Sequence, residues 1–512
     1  MKRLLALGLV LALLLCGCAS GGEYVPTGDG LSWDEDYTGP INTRPQEEKD
    51  QTLALAYYAD ITLNPLRCTD YTNRALMTLM YQSLFVVDRQ YQVEPMLCGR
   101  YSMSEDMRSY TFYVDEKATF SDGSPVRAAD VVASLLAAKN SRYYGGRFVH
   151  MTSIDLTEDN GVQIKLDTAF ENLPILLDIP IIPELQLESD RPIGSGPYVL
   201  DTAGSQWLLR RRSNWWCKAD MAVTAQIIAL QPAKDNLQIR DDFQFADLNL
   251  VCADPCSDRY ADYRCDFELW DCENGIFTYI AFCDESEVFD SPEMRAALTY
   301  AIDRESLADN IYRGFGVAAS LPASPLSPYY SQSLAEKYSY DPERFAQIVG
   351  QCGKDGDEVV FMVNSDDSVR VRTAKTVAQM LEAGGLKVTM KEVKGEFYTY
   401  SFVSKEYDIY MGTTKLSPNM DLSPFFSANG ALSKGGVSNV GAYALCQQAL
   451  ENYGNYYTLH KNIMDDGLLC PVLFNTYAVY AIRGNITDLT PARDSVFYYS
   501  IGKTMEKAFM RN

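Results

Sequence analysis

Few residues of this chain could do chemistry together. There are only two histidines, His150 and His460, so a site built from several histidines is excluded, although a metal arriving inside a chelator could still use one of them. Gly194-Ser195-Gly196 sits in a loop rich in glycine and proline, but no Gly-Lys-Ser/Thr follows and no helix opens there, which argues against a phosphate cradle. Nor is it a G-x-S-x-G nucleophile elbow. With no recognisable nucleophile, base and oxyanion loop, and no paired carboxylates, a secreted hydrolase finds no support. Arg295 and Arg304 suit an active site by type, yet an ion pair on the surface or between lobes accounts for them. Trp207 could stack on a ligand or pack in a core or hinge. Asp421, in the stretch SPNMDLSPFF from 417 to 426, is either a cap or turn residue or a carboxylate offered to a bound molecule. Of thirteen cysteines, setting aside Cys16 and Cys18 near the N-terminus leaves eleven, five of them between 252 and 283. No C-x-x-C pair occurs, so zinc is weakly supported, and disulfides and buried free thiols both stay open.

Bulk properties narrow the class. A chain of 512 residues exceeds the size at which a single core stops growing, about 250 to 300 residues, so two or three lobes are expected. Hydrophobic content of 47% with 22% charged residues is that of a globular protein, and 34 tyrosines and 21 phenylalanines give ample stacking surface. A net charge of −23 and the lack of a basic stripe exclude nucleic acid as a partner. Lys2 and Arg3 precede a short apolar run from Leu4 to Leu15, too short to span a bilayer as a helix and suited to an export signal over residues 1–17. Residues 18–50 carry Gly, Pro, Asp and Glu without periodicity, as a flexible tether would.

The elements that must hold any site are legible in places. Tyr110, Phe112 and Val114 alternate at the period of a strand, Asp122-Gly123 supplies a turn, and Val131, Val132, Leu135 and Leu136 recur at helical spacing. Leu53 to Tyr58 reads as a short strand and residues 73–87 as a helix carrying Leu76, Leu79 and Leu84. Ile276 to Phe282 is an apolar strand, followed by a helix with Ser291 as N-cap, Pro292 at its first position and Met294, Leu298, Ala301 and Ile302 on its buried stripe. Val359–Val363, a helix from 371 to 383, the stop Gly384-Gly385 and Leu386–Met390 form a β-α-β unit.

The order of residues in these elements resembles the peptide/nickel-binding family (family 5) of solute-binding proteins that serve ABC importers. Phe120-Ser121-Asp122-Gly123-Ser124-Pro125 with Ala129-Asp130-Val131 is similar to its F-x-D-G-x-P-x-x-A-x-D-V signature, Pro192 to Tyr198 to its P-V-G-T-G-P-Y, and Phe289 to Arg304 to its F-D-D-x-R-V-R-Q-A-L-x-x-A-I-D-R. Tyr340-Asp341-Pro342-Glu343 resembles a helix start of the family, and Cys283 departs from the Asn that commonly ends the preceding strand. The resemblance covers about residues 50 to 510. It implies a two-lobed α/β fold of the periplasmic-binding-protein kind, type II, with an extra subdomain, mixed sheets flanked by helices, and a ligand cleft between lobes. Lobe I would be 51–282 with 470–512, including the subdomain at about 65–190, and lobe II 283–469. Leu15-Cys16-Gly17-Cys18 resembles a lipobox, which would acylate Cys18 and anchor the chain in the bilayer; the alternative is an ordinary signal peptide.

Ligands gather at the carboxyl ends of strands in open α/β sheets. In a two-lobed protein this nominates Tyr57, Tyr58 and Asn64 from the first lobe and Thr413, Thr414 and the 417–426 loop, with Asn419 and Asp421, from the second; Trp207 joins them as a stacking candidate. In peptide-binding members of the family a carboxylate in a D-x-x-D-P-x-x-F segment takes the peptide's α-ammonium, and Asp421 is the nearest equivalent, although Leu422 stands where the pattern has Pro. The expected function is a monomeric extracytoplasmic receptor that binds an oligopeptide or similar small solute and hands it to ABC permease subunits, with no cofactor and no resident metal. Oligosaccharides or nickel complexes are the alternative ligands, and sensing or chaperoning the alternative role.

Overall fold

Two long strands organise the chain. In the computed structural model, which describes residues 31–32, 52–503 and 508–510 apart from positions 218, 220, 258, 259, 261, 485 and 487, Phe267–Phe282 and Cys470–Ile482 run antiparallel side by side. The expected strand from 276 to 282 is thus only the second half of a 16-residue strand, because Glu273, Asn274 and Gly275 interrupt its apolar pattern without ending it. The two strands slip register between Glu273 and Phe277.

On one side of this pair the sheet continues through Leu250–Ala253, Thr52–Tyr57, Ile227–Pro232, Leu208–Arg211 and Tyr198–Asp201. On the other side come Ile409–Lys415, Glu358–Asn364 and Lys387–Val393. Both halves contain a parallel core: Thr52–Tyr57 with Ile227–Pro232 and Leu250–Ala253, and Glu358–Asn364 with its two neighbours. Continuous apolar runs such as Leu53 to Tyr57 are buried throughout, as strands covered on both faces must be. The β-α-β unit is present, its helix Ser368–Ala383 capped by Asp367, which accepts from Arg370 N at 3.0 Å.

A second, mainly antiparallel sheet holds Cys98–Ser104, Ser109–Val114, Val162–Leu166 and Met151–Leu156, with Ala508–Met510 added parallel at its edge. The helix Ala128–Lys139 packs on it through Val131, Leu135 and Ala138, whereas Leu136, expected on the buried stripe, is 47% exposed. Asp130 lies in its first turn and accepts from the backbone N of Arg127, the N-cap residue. Gly123 has φ +87°, the conformation the Asp122-Gly123 turn demands. Gly194 and Gly196 serve a different need. A Cβ on Gly194 would lie 2.0 Å from the Met80 carbonyl oxygen, and Gly196 N donates to that oxygen at 2.8 Å, so close backbone approach accounts for them.

Several expectations are corrected. The first helix spans Tyr71–Met80, leaving Leu84 outside it. Arg295 and Arg304 hold carbonyls rather than ion pairs: Arg304, nearly inaccessible, donates to Thr299, Ile302 and Pro471 oxygens, and Arg295 to those of Phe289, Asp290 and Asp466. Within the stretch taken as a tether, Leu31–Ser32 forms a short strand opposite Leu269 and Glu268. The eleven cysteines among the described residues are free thiols. The signal segment and Cys18 lie outside the described residues, and no described helix is long and apolar enough to cross a membrane.

Candidate functional site

Three parallel strands, Thr52–Tyr57, Ile227–Pro232 and Leu250–Ala253, end along one edge, and two helices start there. Asp70 caps Tyr71–Met80 by accepting from Asn73 N at 3.0 Å, and Asp235 caps Asn236–Gln244 by accepting from Gln238 N at 2.9 Å. Between them opens a cavity of about 790 Å³, lined by Tyr58, Asp60, Tyr71, Asp254 and Tyr263 among others. This volume suits a ligand the size of a short peptide. Asn73, fully buried, sets the turn at its wall: Tyr58 N donates to its Oδ1, and its amide nitrogen donates to Tyr58 O and Ile61 O. Tyr58 OH donates to Asn236 Oδ1 at 2.6 Å.

The other half of the sheet presents its own carboxyl ends. Arg370, in the helix after Glu358–Asn364, donates to Thr413 Oγ1 and pairs with Asp367 at 3.3 Å. Burial raises the Asp254 pKa, and the charge of Asp367 raises it further.

Behind the cavity lies a buried ionic cluster that the sequence did not suggest. Asn274 Nδ2 donates to Tyr71 OH at 3.3 Å, and Lys415 Nζ donates to Asn274 O, Tyr143 OH and Asp494 Oδ1 at 2.9, 3.0 and 2.7 Å. Asp494 also pairs with Arg147 at 2.9 Å, and Arg147 with Asp178. Burial pushes Lys415 down to about 7 against the pull of Asp494. The Asp494 carboxyl, which burial alone would raise, is held well below its usual range by Lys415, Arg493 and Arg147. Arg74 stacks on Tyr143 at 3.5 Å and donates to Tyr144 OH. These groups come from six separate stretches of chain, so no local spacing could have announced them.

The nominated residues are scattered. Tyr58 lines the cavity, while Thr413 is engaged by Arg370 and Thr414 sits in its strand opposite Phe277. Asn64, expected in a ligand-facing loop, is fully buried: it donates to Leu187 O and Ser189 O and accepts from Leu66 N, closing a turn. Trp207 stacks on buried Tyr57 at 4.9 Å, with the Arg191 guanidinium 4.7 Å from its ring. Asn419 and Asp421 are together, but away from the large cavity, beside a void of about 10 Å³. That is room for about one water molecule. Asp421 Oδ2 lies 3.3 Å from His150 Nε2, and its Oδ1 accepts from Ser423 N and Oγ. His150 Nδ1 meets Asp167 at 2.8 Å. Burial would lower the His150 pKa, but Asp421 and Asp167 overcome it and raise it to about 9, so the ring is charged at neutral pH and both nitrogens donate. The Asp421 carboxyl, though buried, is lowered by His150 and Ser423. Its charge is matched within the chain.

The profile described as bacterial extracellular solute-binding proteins, family 5 Middle, matches residues 92–434. The glutathione-binding protein GsiB of Salmonella paratyphi A is 24% identical over 392 residues, 72% of this chain and 76% of its own. The ABC transporter substrate-binding protein CtaP of Listeria monocytogenes has a similar structure, with a TM-score of 0.70 at 20% identity over 88% of this chain and 98% of that one. The oligopeptide-binding protein AppA of Bacillus subtilis, solved with a nonapeptide, aligns with a TM-score of 0.58 at 19% identity over 84% and 94% of the two chains. The fold is the two-lobed, mixed α/β one of these proteins, and the chain belongs to the bacterial extracellular solute-binding proteins of family 5.

Proposed function

We propose that this protein is the lipid-anchored receptor of an ABC importer, taking a peptide-like solute into the 790 Å³ cavity and delivering it to permease subunits in the membrane. The observation that carries this reading is the position of the cavity, where three strand ends and two helix starts of one half of the sheet converge. The lobes are residues 51–282 with 470–512, and 283–469, and the register slip at Glu273–Phe277 supports a hinge where the long strands pass between them. A solute touching both lobes favours the closed form by its differential affinity. No reaction is catalysed, and energy comes from a separate ATPase. Acylation of Cys18 supplies the anchor, and the receptor acts as a monomer.

A thermal-shift screen of the full chain in mild detergent tests this, with di- to octapeptides, cello- and xylo-oligosaccharides and nickel-histidine as probes. Binding to the native state raises the midpoint. Peptides are expected to raise it, and Leu237→Trp, which puts a bulky ring at the cavity wall, to abolish the rise. A rise with sugars alone would move the ligand class to oligosaccharides, for which the tyrosines of the lining offer stacking faces.

A further inference from the structure

Two carboxylates of the cavity lack an ion-pair partner among the described residues. Asp70 and Asp254 both line it, and among the described residues neither makes an ion pair. Asp70 is half-buried and Asp254 exposed to the cavity, and the loss of water around them raises both pKa values, with Asp60 adding to the effect on Asp70 and Asp367 to that on Asp254. The neighbouring cations are engaged or remote. Arg240 is bonded to Asp241 at 2.6 Å, Arg370 to Asp367 and Thr413, and Lys234 stands exposed at the rim. Asp60, Asp70, Asp235 and Asp254 therefore face only Lys234 and Arg240 within the lining. The phenol rings of Tyr58, Tyr71 and Tyr263 share the same space. Carboxylates beside aromatic rings in a partly desolvated cavity are the surroundings that favour an ammonium or guanidinium group.

We propose that the cavity selects peptides carrying organic cations, with Asp70 and Asp254 accepting charge-assisted hydrogen bonds from the ammonium or guanidinium groups of the solute. This rests on the reading of the cavity as the solute site.

The test uses the full chain, with trilysine, trialanine and triglutamate as probes and dissociation constants read by calorimetry. Asp70→Asn and Asp254→Asn remove charge while keeping local structure, because Asn caps a helix as well as Asp does, and the Asp254 turn bond from Cys256 N can be accepted by an amide oxygen. Trilysine is expected to bind at least about tenfold more tightly than trialanine, a preference that shrinks with added salt, with triglutamate weakest. The double variant should weaken trilysine about tenfold or more and leave trialanine within about twofold. Equal binding of trilysine and triglutamate, an unchanged trilysine constant in the double variant, or no binding of trilysine at millimolar concentration would each overturn the inference. Leu237→Trp separates the two readings. If it abolishes binding that the charge variants leave untouched, only the preference for cations fails; if it changes nothing, the cavity is not the solute site.

Discussion

Charge on His150 ties the second sheet to the loop that carries Asp421, and its removal can be followed through stability. The folded-state pKa rises from 6.5 to about 9 although the ring is buried, a difference of about 2.5 units. At about 1.4 kcal/mol per unit this is about 3 kcal/mol. Because the folded value is the higher one, the contribution is fully present below about pH 6.5 and is lost as pH rises through about 9. Lys415 works in the opposite sense: its folded pKa is down at about 7, so its share of stability grows as pH rises above that value. The wild-type profile therefore mixes both, and the measurement must be a difference. Urea unfolding of the wild type and His150→Gln at about pH 6 and about pH 9.5 should give a stability gap about 3 kcal/mol wider at the lower pH. Parallel profiles, with a gap constant to within about 0.5 kcal/mol, would refute the charged His150 pair.

Asp421→Asn leaves an imidazolium buried with one partner fewer, at a cost of about 3 kcal/mol in urea unfolding, while solute affinity stays within about twofold. Lost affinity for free peptides but not N-acetylated ones, at unchanged stability, would instead give Asp421 the ammonium-binding role. Gly275→Ala places a methyl group 2.2 Å from Arg493 Nη2 at a residue with φ +74°. Left-handed strain of about 1 kcal/mol and displacement of a buried guanidinium from Leu416 O, about 2 kcal/mol, should together lower stability by about 3 kcal/mol, against which a loss under about 0.5 kcal/mol would count. Cells fed labelled palmitate should yield labelled protein, and Cys18→Ser should remove the label; persistence of the label would exclude Cys18 as the lipid site.

The strand-turn-helix from Tyr110 to Lys139, the Ser291-Pro292 and Asp341-Pro342 helix starts and the β-α-β unit after Glu358 were legible because caps, turns and periodicity act within a few residues of one another. The family motifs along the chain were enough to indicate a two-lobed solute-binding fold. Local pattern also placed Tyr58 at a strand end that borders the cavity. It could not see that Asn64 would be consumed in holding Leu187 and Ser189, or that His150, 271 positions before Asp421, would neutralise it. Nor could it see Lys415, Asp494 and Arg147 meeting behind the cavity, or two long strands slipping register where Glu273 enters the core. Sequence alone determined which segments become strands and helices and what class of molecule they build, since those choices depend on neighbours in the chain. Tertiary structure alone decided which charges are matched and which still face open space, because a carboxylate's partner is set by proximity after folding.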